Sequence, residues 1–254
     1  MSNFENAGAR TPASAPPLRT WDFWETAFVI LIAYGVFTLA GGWAMTIIIT
    51  AQDGVARMSP AQLRDFAAQG RWYGAGLTIA SPLTIGVLWI AIRKVRRGFA
   101  EYLALNWPST AEVMRAFAIF AGILLVESVI KWCVGDDGSA LDDQRMYVVN
   151  GAGGLLIFLI GTCIAGPVME EFLIRGFLYR GWSESFLGPI GAIVLTASVW
   201  AMTHTQYDVY GKLEIFGMGL ALGYCRWRSN STWLTVMMHS ALNTYICFVT
   251  GPYV

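Results

Sequence analysis

An all-α, polytopic bundle of about seven membrane-spanning helices is the fold class that this sequence predicts. Two observations carry the prediction. Hydrophobic residues make up 56% of the 254 positions and charged ones only 13%, against about 25% charged in an ordinary soluble domain. In addition, Thr26 to Thr50, Trp72 to Ile92 and Gly151 to Met169 hold no Asp, Glu, Lys, Arg or His, and each is close to or above the roughly 20 residues that a spanning helix needs.

Taken in order, residues 1–20 are polar and carry Pro12, Pro16 and Pro17. They lack the basic-then-apolar layout of a cleavable signal peptide, and a disordered cytosolic tail is expected. Residues 21–254 read as a single membrane domain without an internal repeat. The first two spans are Thr26 to Thr50 and Trp72 to Ile92. Val113 to Cys133 is a third, despite Arg115, Glu127 and Lys131; Glu127 and Lys131 stand one helical turn apart and can neutralise each other. Gly151 to Met169 is the fourth. Phe172, Leu173, Phe177 and Leu178, beside Arg180 and Glu184, are expected to continue it as an amphipathic strip along the cytosolic interface, framing an entrance. Phe186 to Thr203, the short Gly-rich stretch Glu214 to Cys225, and Thr232 to Val254 complete the set.

Orientation follows from the short loops. Arg93, Lys94, Arg96 and Arg97 follow the second span, whereas Gly135 to Gln144 holds four aspartates and no base. The first is predicted cytosolic and the second external. The N-terminus is then inside, in a multi-pass protein of the cell's inner (plasma) membrane. This scheme strains at one point: His204 lies roughly 25 Å along the fifth span and His239 only roughly 10 Å into the last. A formal net charge of zero gives no electrostatic case for nucleic acid. The cysteines Cys133, Cys163, Cys225 and Cys247 sit in or beside apolar spans without a pairing pattern and read as packing residues.

Polar groups in such spans are expensive and point to function. The stretch MEEFLIRG puts Glu170, Glu171 and Arg175 at the end of an uncharged run from Met146 to Met169. The only two histidines, His204 and His239, lie in or at the end of apolar spans. Glu171 with Arg175, Trp200 with His204, and His239 with Asn243 are each four residues apart, so each pair shares a helix face. Three helices can thus turn three polar faces to one point. A carboxylate there can act as general base towards water, and an imidazole can orient that water or carry its proton. Asn243, with His239 beside it, supplies donors of the kind that stabilise an oxyanion. These parts suit amide hydrolysis without a nucleophilic Ser or Cys. Arg175 pairs with Glu171 and leaves Glu170 free. Gly166 and Pro167, just ahead, are expected to kink the helix and make room for water.

EEFLIRG, WAMTH and HSALN, in that order, resemble the CAAX prenyl protease and bacteriocin-processing family of intramembrane endopeptidases, whose motifs run Glu-Glu-x-x-x-Arg, Phe-x-x-x-His and His-x-x-x-Asn. The resemblance covers about residues 150–245. It implies a catalytic set of Glu170, His204, His239 and Asn243, supported by Glu171, Arg175 and Trp200. Trp200 replaces the usual Phe and reads as another large aromatic wall. The family has been described both as metalloproteases and as glutamate-activated-water proteases. Glu170, His204 and His239 are the zinc ligands if zinc is the cofactor, but no His-Glu-x-x-His element is present and Asn is a poor zinc ligand. Water activated by glutamate without a metal is therefore the reading preferred. The expected partners are the lipid bilayer and a peptide or membrane-protein substrate, lipidated in the prenyl-peptidase case. Two rivals stand beside it: a non-proteolytic immunity or scaffold protein of the same family, and a proton or solute transporter, which lacks the expected repeat.

Overall fold

The computed structural model describes residues 19–134 and 151–250. The predicted tail up to residue 18, the acidic loop 135–144, residues 146–150, the side chain of Lys131 and the last four residues of the seventh span lie outside the described residues. The described part is all-helical and holds no strand. Its helices are α1 (Phe23–Thr50), α2 (Pro60–Ala67), α3 (Gly70–Lys94), α4 (Phe99–Tyr102), α5 (Thr110–Val134), α6 (Gly151–Ile160), α7 (Gly166–Glu171), α8 (Tyr179–Ser183), α9 (Gly188–Thr203), α10 (Val209–Ser229) and α11 (Thr232–Thr250). Two π-helical turns, Gly161–Ala165 and Phe172–Leu178, join α6, α7 and α8 into one unbroken run.

Side-chain caps start four of these helices. Asp22 accepts the Glu25 N–H at 2.8 Å while Glu25 accepts the Asp22 N–H at 3.1 Å, a reciprocal cap that satisfies two orphan donors of α1. Ser59 and Gln62 form the same box around Pro60 and begin α2, a helix too short and polar for a hydropathy reading to find. Ser109 with Glu112 caps α5, and Asp208 caps α10 by accepting the Gly211 N–H at 2.9 Å.

Among the described residues, four helices are long and apolar enough to cross a membrane by length and composition: α1, α3, Thr110–Ile130 of α5, and Gly153–Ser183. α9, at 16 residues, is a shorter apolar helix. Burial ranks the four. In its most apolar window, Gly153–Ser183 has 56% of residues buried, against 17% in α1 and 11% in α5. The run α6 to α8 is therefore the central element, and α1 and α5 turn side chains such as Leu31, Trp43, Leu125 and Trp132 outward. This corrects one expectation: Phe172, Leu173, Phe177 and Leu178 are buried in the core and do not form an interfacial strip.

The strain in depth between the two histidines disappears here. From Glu170 the helix continues for about 20 Å to Ser183 before it turns, and α9 needs about 18 Å from Gly188 to bring Trp200 back level with Glu170. α11 starts at a point already inside the bundle. Ser231, Thr232 and Leu103 are fully buried; the Thr232 N–H donates to Ala104 O at 2.9 Å and the Asn106 amide donates to Asn230 O at 2.8 Å. Seven residues of helix then suffice to bring His239 to the site.

Two close approaches set the packing around the central run. A Cβ on Gly161 would lie 2.4 Å from the Gly74 carbonyl oxygen, so α3 crosses the first π turn backbone to backbone. A Cβ on Gly219 would meet Ala197 Cβ at 2.9 Å, which seats α10 on α9 beside Trp200. Gly219 and Gly223 thus serve contacts within the chain. At the Arg-rich end, Arg97 donates to Glu101 at 2.6 Å and Arg180 reaches the same carboxylate at 3.3 Å. Burial acts to raise the Glu101 carboxyl, but the hydrogen bonds and charge of Arg97 and Arg180 outweigh it and hold it below the usual carboxylate range.

Gly161→Ala is expected to lower the unfolding temperature in detergent by several degrees, since the backbone facing it cannot give way, by about 1–3 kcal/mol or more. Gly42→Ala, with open space around its Cβ, is the matched control and should leave it unchanged. The Glu101 contribution is complete above the ordinary carboxylate range and is lost as pH falls through the lowered folded value. For so exposed a pair it amounts to under about 1 kcal/mol, and Glu101→Gln should abolish that acid-side dependence in a pH series of melting curves.

Candidate active site

Neighbouring residues on a helix point about 100° apart, and Glu170 and Glu171 accordingly meet different surroundings. Glu171 is fully buried. Its Oε1 accepts from Arg175 at 2.9 Å and from His239 Nδ1 at 2.9 Å. Arg175, 1% exposed, also donates to Gly219 O at 3.4 Å and lies 4.3 Å from the centroid of the Trp200 ring. Glu170 is half-buried, and its Oε2 accepts the Trp200 indole N–H at 2.7 Å.

Both π turns bear on this arrangement. In the first, the Gly166 N–H reaches back five residues to Gly161 O, directly ahead of Pro167, which has no N–H to offer. In the second, the Tyr179 N–H reaches back to Ile174 O. A π turn inserts a residue into the helical repeat and rotates the faces on either side of it, a device common at functional sites. The room expected from a Gly-Pro kink is thus associated with wide turns that bracket the two glutamates.

The histidines are held by one ring nitrogen each. His204 ends α9, with Nδ1 2.8 Å from Trp200 O. A carbonyl only accepts, so Nδ1 carries the proton and Nε2 holds the lone pair in the neutral ring. His239 Nδ1 likewise donates to the Glu171 carboxylate. Asn243 donates one amide hydrogen to Thr162 O at 2.8 Å, in the first π turn. Trp200 is in contact with both histidines, its ring centroid 5.2 Å from each and nearly perpendicular to both.

A cavity of about 350 Å³ opens beside this cluster. Ile30, Tyr34 and Phe37 of α1, Leu77 of α3, and Leu173 and Trp182 give it apolar walls; Glu170, Trp200, Thr203, His204 and Gln206 supply its polar and aromatic end. His239 and Asn243 are not part of this wall. The predicted residues therefore fall in two groups: Glu170 and His204 on the cavity, and Glu171, Arg175 and His239 buried in the interior with Asn243 half-buried one turn beyond His239, while Trp200 is in contact with both groups. The sequence reading missed the indole N–H of Trp200 and the His239 to Glu171 bond. The first had a signal, since a buried Trp N–H needs an acceptor; the second joins residues 68 positions apart and had none.

Among the described residues no three His, Cys, Asp or Glu side chains form a metal-ligand group. Glu170, His204 and His239 are not brought together as such a group in this arrangement: Glu170 and His204 line the cavity and His239 does not.

Residues 152–245 match the family model of type II CAAX prenyl endopeptidases, Rce1-like. The resemblance drawn from the three motifs is borne out over this region, which contains all of them. The search of curated proteins and the search of solved structures gave no match.

Glu171→Ala leaves the Arg175 guanidinium uncompensated in the interior, a loss of about 3–5 kcal/mol. Its melting temperature and monodisperse yield should drop sharply, whereas Glu170→Ala, whose carboxylate faces a cavity, should keep both near the wild type. Scanning fluorimetry with size-exclusion chromatography reads the difference.

Proposed function

We propose that this helical membrane protein, matched over its motif core to a family of prenyl endopeptidases, is an intramembrane endopeptidase that hydrolyses a peptide bond with water activated by Glu170. One observation carries the reading: a carboxylate and an imidazole from two different helices, Glu170 and His204, share the wall of one largely apolar cavity. Water excluded from the surrounding bilayer has polar partners there.

In the proposed reaction a water lies between the Glu170 carboxylate and the free Nε2 of His204. Glu170 takes one of its protons as the water oxygen bonds to the scissile carbonyl carbon. The carbonyl π electrons move to oxygen and give a tetrahedral oxyanion. Its collapse breaks the C–N bond, and the proton held by Glu170, directly or through His204, passes to the leaving amine. His239 and Asn243 are assigned to the oxyanion. Asn243 has its second amide hydrogen for this. His239 needs a proton on Nε2 as well as Nδ1, with Glu171 as counter-ion. Neither lines the cavity, so this role requires the scissile carbonyl to seat deeper, against the Trp200 ring. Glu171 and Arg175 act as support.

The apolar walls suit a peptide or membrane-protein substrate, including one that carries a lipid chain. In our reading no metal takes part, the Arg93 to Arg97 end faces the cytosol, the N-terminus is inside, and the protein resides in the cell's inner (plasma) membrane.

The test is cleavage of a fluorogenic farnesylated CAAX peptide by detergent-purified protein. Glu170→Ala and His204→Ala should abolish it while remaining folded, His239→Ala and Asn243→Ala should lower kcat by about 10² to 10³, and a zinc chelator should leave the rate unchanged. Activity retained in Glu170→Ala, or lost on chelation and restored by zinc, overturns the mechanism.

A further inference from the structure

Trp200 touches four ionisable groups of the site. Its indole N–H donates to Glu170 Oε2 at 2.7 Å, the Arg175 guanidinium lies over its ring at 4.3 Å, and both histidine rings stand against it at 5.2 Å. Its own backbone carbonyl accepts the His204 Nδ1–H at 2.8 Å. Trp200 is 4% exposed, and the bare backbone of Gly219 lies close against its ring: a Cβ there would come within 3.3 Å of Trp200 Cε3.

A glutamate facing a cavity has three side-chain torsions to restrain, and the helix alone restrains few of them. A Trp ring has two torsions, and this one is held by a buried cation on its face and by imidazoles around it. Its single donor is therefore fixed in space. The bond it makes has the short length of a charge-assisted hydrogen bond, and it occupies one carboxylate oxygen. Phe, the aromatic of the family motif at this position, would fill similar space but has no N–H to give.

The geometry assigns Trp200 as the positioning residue for Glu170: its indole N–H tethers Oε2 and leaves Oε1 as the oxygen that meets water, an assignment that rests on Glu170 being the base. The ion pair of Glu171 and Arg175 is thereby linked to the base through a rigid ring, although the two glutamates share no hydrogen bond.

Two readouts test this, one of them independent of activity. In the peptide assay, Trp200→Phe should lower kcat by about 10- to 100-fold, the rate equivalent of one hydrogen bond to a charged group. KM should stay within about twofold, because the cavity wall keeps an aromatic. In ¹⁵N-labelled protein, one of the 11 tryptophan indole resonances should lie downfield, vanish in Trp200→Phe and move upfield in Glu170→Gln. Wild-type kcat in Trp200→Phe, or indole spectra that agree between wild type and Glu170→Gln, overturns the assignment. The comparison with Glu170→Gln needs no Trp200 variant and so stands even where Trp200→Phe fails to fold. Cleavage retained in Glu170→Ala with the indole shift present sinks the catalytic reading and leaves the tether; cleavage lost with no indole shift sinks the tether alone.

Discussion

The ion pair between Glu171 and Arg175 is the constraint around which the site is arranged. Both side chains are within 1% of complete burial, and removing two charges from water costs several kcal/mol per ion, which their attraction offsets only with good geometry and further hydrogen bonds. The surroundings supply most of those bonds, with Glu171 Oε2 and Arg175 Nε buried without one. His239 donates to the same carboxylate oxygen, the Gly219 carbonyl receives a guanidinium N–H, and the Trp200 ring covers the cation. Each partner comes from a different helix. The need to satisfy two buried charges therefore draws α9, α10 and α11 onto the central run at one level.

That convergence explains how adjacent glutamates come to do different things. A regular α-helix would place them about 100° apart with no further distinction. Here the run carries a π turn before the pair and another after it, so its faces rotate twice within a short length. Glu171 is turned into the interior, where Arg175 and His239 both donate to its Oε1. Glu170 is turned to a cavity, where one oxygen has one donor. The same chemical group becomes a structural counter-ion in the first place and a candidate base in the second.

Much of this was legible in the sequence, and the parts that were not share a physical cause. Composition and uncharged runs announce a helical membrane bundle, and the pairing of Glu171 with Arg175 follows from spacing alone. The convergence of three helices on one region also follows, because polar groups in apolar spans must find each other. Contacts between distant helices were not legible: nothing local says that His239 bonds Glu171 and not Glu170, or that Asn243 is tied to Thr162. Helix α2 was missed because its signal is a cap and not hydrophobicity. The strip after Met169 was misread because its charges, Arg180 and Glu184, lie at the end of a buried run; Phe177 and Leu178 belong to the core.

Hydrolysis inside a bilayer also requires water at a defined place, and the cavity narrows where that place is. A bound water needs about two to four polar partners to be held, and most of this wall is aliphatic or aromatic. Its polar side chains include Glu170, His204 and, on either side of His204 in the chain, Thr203 and Gln206. Water elsewhere in the cavity has few partners to hold it and yields readily to an apolar substrate chain. Water beside Glu170 and His204 meets a carboxylate already tied at one oxygen and an imidazole whose Nδ1 is committed to a carbonyl. In each group the atom left over is an acceptor, Oε1 on the acid and Nε2 on the ring. In the reaction proposed above, these two acceptors take both hydrogens of one water and leave its lone pairs outward, the orientation that attack on a carbonyl carbon demands.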